Sequence, residues 1–280
     1  ARFMLMIVVY SGFWILYFQN FGSVLWYLRD FVDREPVSAA VTGLLAAIGL
    51  DVRFTFDAEH VTVINAGTII LLQVLVSRLV AKRKALPTMV TGMAMGAVGF
   101  ALLASSFNPW VFILGIAVFS IGEMTAHPKY YSFVGLVAPA DRKAVYMGYA
   151  FLYGVFGSLL GSNLGAFLYE RMLAPVVGTE AAAGRTTLFW TLFAVLDVIA
   201  VVGLILFARA FGEDTPDTRR RARSAMFGVY GLILLLGLAF AVFAFTSDPI
   251  QVRTAVQSLI FLALGGGGLA VNARGGRSAS

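Results

Sequence analysis

Eight apolar stretches, each long enough to cross a bilayer, predict an all-α polytopic membrane protein. Two further observations point the same way. Hydrophobic residues make up 59% of the 280, against roughly one half in a soluble domain. The basic residues gather in short connections between the apolar stretches, where Lys and Arg set topology. A net charge of +6 could otherwise suggest nucleic acid, but no basic stripe with interleaved aromatics occurs, so no such partner is expected. The chain has no cysteine, which excludes disulfides and thiolate metal sites. No cofactor or metal is implied.

The first span runs from about residue 3 to 28 and carries Gly12-Phe13-Trp14, Gln19-Asn20 and Gly22-Ser23. Amides this deep need partners, so Gln19 and Asn20 are expected to face other helices or a polar cavity. The chain opens at Ala1, directly before this helix and without a signal region and cleavage site. It is therefore expected to be a fragment whose N-terminal part is missing. Residues 29 to 60 form a loop of mixed charge, within which Val37 to Leu50 is apolar but too short to span and reads as an interfacial helix.

The second span, 61–80, opens with Asn65-Ala66-Gly67-Thr68 and ends at Arg78 and Lys82-Arg83-Lys84. The third, 87–105, has Gly92 and Gly96 in a small-xxx-small pair with Gly99 beside it. The fourth, 110–136, is the richest. The fifth, 144–169, repeats Gly154, Gly157, Gly161 and Gly165, a face that lets a neighbouring backbone come close; packing is the plain reading and a sliding or hinging surface the functional one. The sixth, 186–208, has Asp197 near its middle. A basic linker at 212–224 leads to two additional spans at about 225–245 and 255–271 and a short tail, with Gly265 to Gly268 expected to weaken the last helix.

At the centre of the fourth span lies Glu123, whose carboxylate would sit near the membrane midplane. Acidic residues there are costly and mark ion or proton routes. His127 and Tyr130, four and seven residues on, share its face. Pro128 removes one backbone donor and is expected to kink the helix one turn away. Each has a plainer reading, His127 and Pro128 as packing and kink, Lys129 as a side chain snorkelling to the interface.

Fourteen Lys and Arg fall on one side of the predicted spans and six on the other, with Lys129 apart. That bias places both ends of the chain in the cytoplasm, in what is expected to be a bacterial cytoplasmic (inner) membrane.

Six spans with midplane polar residues on the first and fourth, followed by an additional pair, resemble the C-terminal half of a major facilitator superfamily transporter. The resemblance covers about residues 1–211. More narrowly, Phe13-Trp14, Phe18-Gln19 and Gly22-Ser23 are similar to the seventh helix of the proton-dependent oligopeptide transporter family. Gly122-Glu123, Pro128, Ala138-Pro139 and Met147-Gly148 are similar to its tenth and eleventh. The superfamily's loop aspartate is absent, since Ser77 precedes Arg78. The family's acidic and arginine motif would lie in the absent N-terminal half.

The resemblance implies a secondary active transporter, with proton-coupled symport of a small solute such as a di- or tripeptide. Other solutes (a sugar, a drug or an organic anion), or a non-transporting sensor or scaffold, remain the alternatives. Glu123 is the proton-coupling candidate. Gln19, Asn20, Asn65, His127, Tyr130 and Tyr149 are the candidates for the cavity, and Pro128 with Gly154, Gly157, Gly161 and Gly165 for hinging or packing. An enzyme is not expected, because no metal-ligand cluster, helical two-histidine motif or serine nucleophile motif occurs. The sixth helix is peripheral in this plan, so Asp197 would face lipid unless the last two helices shelter it.

Overall fold

The computed structural model describes residues 1–247 and 251–277, and among them every regular element is helical. Eight helical segments are long and apolar enough to span a membrane: Arg2–Asp30, His60–Val80, Ala85–Ser105, Pro109–Val137, Ala140–Val176, Ala182–Phe211, Pro216–Thr246 and Val252–Arg274. All eight predicted spans are thus present, and they mark an integral membrane protein. The last three residues of the expected tail lie outside the described residues.

Several spans are built from more than one helix. The first joins α1 (Arg2–Tyr17), a 3-10 turn at Phe18–Phe21 and α2 (Ser23–Asp30). The 3-10 turn contains Gln19 and Asn20 and ends at Gly22, whose backbone is neither helical nor extended. Short 3-10 stretches inside a long helix are points of bending. The loop helix α3 (Glu35–Ala47) matches the interfacial stretch. It stops where Gly49, at φ +83, takes the left-handed conformation that glycine tolerates, with Leu50 donating to Leu45 and Gly49 to Ala46. The loop folds back on α3, because the Phe56 amide donates to the Ser38 hydroxyl at 2.9 Å and the Phe54 amide to Thr42 at 3.0 Å.

The second, third and fourth spans are single helices, α4 (His60–Val80), α5 (Ala85–Ser105) and α6 (Pro109–Val137). The fifth combines α7 (Lys143–Ala150), a break at Phe151, α8 (Leu152–Leu168) and a π-helical turn at Tyr169–Leu173. The sixth is α9 (Ala182–Phe211). Residues 9–206 form one compact unit; residues 1–8 with 207–280 form the other.

Two glycine seams hold the larger unit together. In one, a Cβ on Gly92 would lie 2.6 Å from the Gly122 carbonyl, and one on Gly99 would lie 2.7 Å from the Gly115 carbonyl. The α5 and α6 backbones therefore touch along the face of Gly92 and Gly99, whereas Gly96, the other member of the small-xxx-small pair, faces Asp197 and Phe13. In the other, Gly157, Gly161 and Gly165 of α8 meet Trp14, Ile15 and Gln19 of the first span. Gly154 has nothing within 4 Å of its missing side chain and takes no part, which corrects its place in the expected seam. α6 stays a continuous helix through Pro128, whose side is exposed.

Asp197 does not face lipid. Its side chain is fully buried, and Oδ2 points at Gly96, beside Phe13. The first and third spans of its own unit lie against it. Neither carboxyl oxygen has a hydrogen-bond partner of good geometry among the described residues. Exchanging an unsatisfied buried polar group for an apolar one of similar shape can be neutral or stabilising. Asp197→Leu is expected to raise the thermal unfolding midpoint in detergent, by an amount equivalent to about 1–3 kcal/mol. A lower midpoint would mean that the carboxyl makes a stabilising interaction.

In the smaller unit, α10 (Pro216–Thr246) and α11 (Val252–Arg277) pack as a pair. The stretch read as a linker is helical from Pro216 onward. Thr215 and Thr218 form a reciprocal capping box, and Pro216 takes the first turn, where a missing amide hydrogen costs nothing. Gly265 does not break α11. It lets the backbones meet, because a Cβ there would lie 2.6 Å from the Leu234 amide. Arg2 closes the end of α9 by donating to the carbonyls of Phe211 at 2.6 Å and Gly212 at 2.8 Å. The Arg219 guanidinium, which makes a two-pronged contact with Asp214 at 2.8 and 2.9 Å, holds that carboxyl below the usual carboxylate range. A depressed value means the contact is fully present at neutral pH and weakens only as acid carries the pH down through it.

Candidate functional site

Glu123 is the central residue of the 29 in α6 and is half-buried. One Asn65 amide hydrogen-bonds Glu123 Oε2 at 3.1 Å and the Ser120 hydroxyl at 2.8 Å. Ser120 passes its own hydrogen to the Ile116 carbonyl at 2.8 Å, which fixes the hydroxyl as an acceptor for Asn65. The carboxyl thus rests on a neutral donor supplied by α4. Among the described residues it has no ion pair with any Lys or Arg.

One turn further along α6, His127 lies in a box of aromatic rings. Its Nδ1 is 3.2 Å from the Tyr10 hydroxyl, and the rings of Trp14, Tyr131 and Tyr153 lie with centroids 5.1, 5.1 and 5.6 Å away. Tyr10 stacks on Tyr130 at 4.3 Å, and Tyr130 donates to the Ala150 carbonyl at 2.9 Å, at the break between α7 and α8. The first, fourth and fifth spans therefore converge on His127, while the second span reaches Glu123.

The other expected cavity residues divide. Gln19 is spent on packing: its amide donates to the carbonyls of Ile15 at 2.8 Å and Gly161 at 2.9 Å, and its oxygen accepts from Ser23 at 2.8 Å. This corrects its cavity role and makes it the polar glue between the first span and α8. Asn20 is buried, and among the described residues neither of its side-chain polar atoms has a partner. Tyr149 is 54% exposed and stands away from the aromatic box; Tyr153, the next inward tyrosine, takes the position expected of it. Tyr10, Trp14 and Tyr17 were legible only as aromatic residues spaced four and three apart on one helix, a pattern that core packing shares.

Lys129 does not snorkel to water. It is buried, and Nζ donates to the carbonyls of Ala81 at 3.1 Å and Arg83 at 2.9 Å, just beyond the end of α4. A cation here satisfies carbonyls that the helix leaves open and complements its dipole. Lys129→Met is expected to cost about 1–3 kcal/mol, the penalty of leaving buried acceptors unpaired. Increased proteolytic nicking near residue 82 would report the loosened turn; an unchanged digestion pattern and midpoint would contradict it.

Architecture and site together define a polytopic helical membrane protein with a mid-helix carboxyl held by a neutral donor beside an aromatic box. No family model, curated protein or solved structure matches the chain.

Proposed function

We propose that the chain is the six-helix C-terminal half of a major facilitator transporter with two additional helices, and that the whole protein is a proton-coupled symporter of a small solute such as a di- or tripeptide. The single observation that carries this reading is Glu123: a carboxyl at the middle of a membrane helix, half-buried, accepting from Asn65 and not neutralised by a basic side chain among the described residues. Desolvation opposes the charged form of such a group, and a cavity that opens alternately to each side lets it load and unload a proton. The aromatic box offers apolar and cation-compatible faces for the amino end of a peptide. The breaks at Phe18–Phe21 and at Phe151 supply points where the spans can bend.

Six further spans would complete the cavity, because substrate sites of this architecture lie at the interface between repeats. The charge bias supports a topology with both ends in the cytoplasm, and the membrane of this reading is a bacterial inner membrane. Full-length protein in proteoliposomes is expected to accumulate labelled dipeptide when the outside is made acid. Uptake indifferent to the pH gradient, or confined to sugars or organic anions, would overturn the reading.

A further inference from the structure

Outside the proposed proton site, the larger unit contains a cavity of about 630 Å³ between α4, α5 and α6. Its size is within the range of small-molecule sites, roughly 300–1,000 Å³. Val76, Leu79 and Met95 make its apolar wall, Thr88 and Thr125 add hydroxyls, and Arg83 and Lys84 stand at one end. No acidic residue lines it. Leu79 is 65% exposed and Thr91 on the facing helix is also exposed, so the cavity opens sideways, where the acyl chains of a bilayer would be.

The charge at its end is unbalanced. Arg29, Arg142, Arg219 and Arg221 each lie against an aspartate, whereas Arg78, Lys82, Arg83 and Lys84 have no ion pair among the described residues. These four cations are clustered at one helix end, exposed, and open to an anionic group from outside the chain. Lys129 clasps the carbonyls of Ala81 and Arg83, so the basic turn is held in place rather than left to drift.

We propose that this cavity is a binding site for an anionic phospholipid, with the headgroup phosphate against Arg83 and Lys84 and an acyl chain along Val76, Leu79 and Met95. Basic pockets between membrane helices suit such headgroups, and a laterally open apolar wall suits the tail. The site needs no assumption about the substrate or about Glu123.

The test is native mass spectrometry of the detergent-solubilised full-length protein titrated with phosphatidylglycerol, with phosphatidylcholine of the same chains, or with inorganic phosphate. Phosphatidylglycerol is expected to be retained at about twenty-five-fold lower concentration than phosphatidylcholine, since each of the two basic groups near the anionic headgroup contributes about fivefold. The Arg83→Ala/Lys84→Ala double variant should erase that preference. Arg142→Ala/Lys143→Ala, at an exposed basic turn outside the cavity, should leave it intact. Both double variants remove exposed side chains only, and the Lys129 contact to the Arg83 backbone survives the first. Met95→Trp fills the wall and should lower retention of both lipids without changing fold, judged by circular dichroism. Equal retention of the two lipids, a preference that survives loss of Arg83 and Lys84, or phosphate competing as well as the lipid would overturn the proposal.

Discussion

Glu123→Gln is expected to abolish accumulation driven by a pH gradient while exchange of labelled substrate across the same membrane continues. The substitution keeps the size of the side chain, and the glutamine carbonyl can still accept from Asn65, which now hydrogen-bonds Glu123 Oε2 at 3.1 Å. What is lost is the ability to gain and release a proton. Coupling is a free energy shared between two sites, so without a proton site the steady-state ratio of inside to outside substrate should fall to about one. Exchange requires only that the loaded cavity reorient, and it should persist. Asn65→Ala should weaken coupling without removing it, because the amide positions the carboxyl rather than carrying the proton. Concentrative uptake by the Gln variant at the wild-type level would refute the assignment.

The second large effect is structural. A Cβ on Gly92 would lie 2.6 Å from the Gly122 carbonyl and 2.7 Å from the Ala126 amide. Both are backbone atoms of α6 and cannot swing aside as a flexible side chain would. Overpacking of this kind costs typically 1–3 kcal/mol for small additions, so Gly92→Ala should cost about 3 kcal/mol and Gly92→Leu should leave no folded protein. The seam also holds Glu123, one residue beyond Gly122, at its depth in the bundle. Gly154→Ala is the matched control: with nothing within 4 Å it should stabilise α8 by up to about 1 kcal/mol through helix propensity. Size-exclusion profiles and thermal midpoints in detergent separate the two, and a well-folded Gly92→Leu protein would contradict the seam.

The eight spans were legible because a bilayer leaves a coarse signature, a long apolar run bounded by charge. The α5 glycines were legible for a related reason, since small residues four apart have few other uses in a membrane helix. Element ends were harder. The run Arg219-Arg220-Arg221 reads as a loop by charge, yet Thr215-Pro216-Asp217-Thr218 carries the capping signal that starts α10 there. Within the site, Glu123 and His127 were found because a titratable residue in an apolar helix is conspicuous, and their spacing put them on one face. Which neighbour each residue meets is set by tertiary packing that a period cannot encode. Gln19 therefore looked like a cavity residue, while its amide joins the first span to α8. Tyr10, Tyr17 and Tyr153 escaped because aromatic rings serve cores and interfaces as readily as sites. Asp197 was placed by analogy at a lipid surface; the side chain instead points at Gly96, where the lack of a Cβ makes room for it.

The account rests on Glu123 exchanging a proton with water through its cavity. Infrared difference spectroscopy of the full-length protein, titrated over about pH 4 to 9 to bracket ordinary and shifted carboxyls, tests this directly. The account predicts a carboxyl band that appears and disappears reversibly with bulk pH and is missing from Glu123→Gln. A band that ignores pH over that range, or one that survives the substitution unchanged, would contradict it.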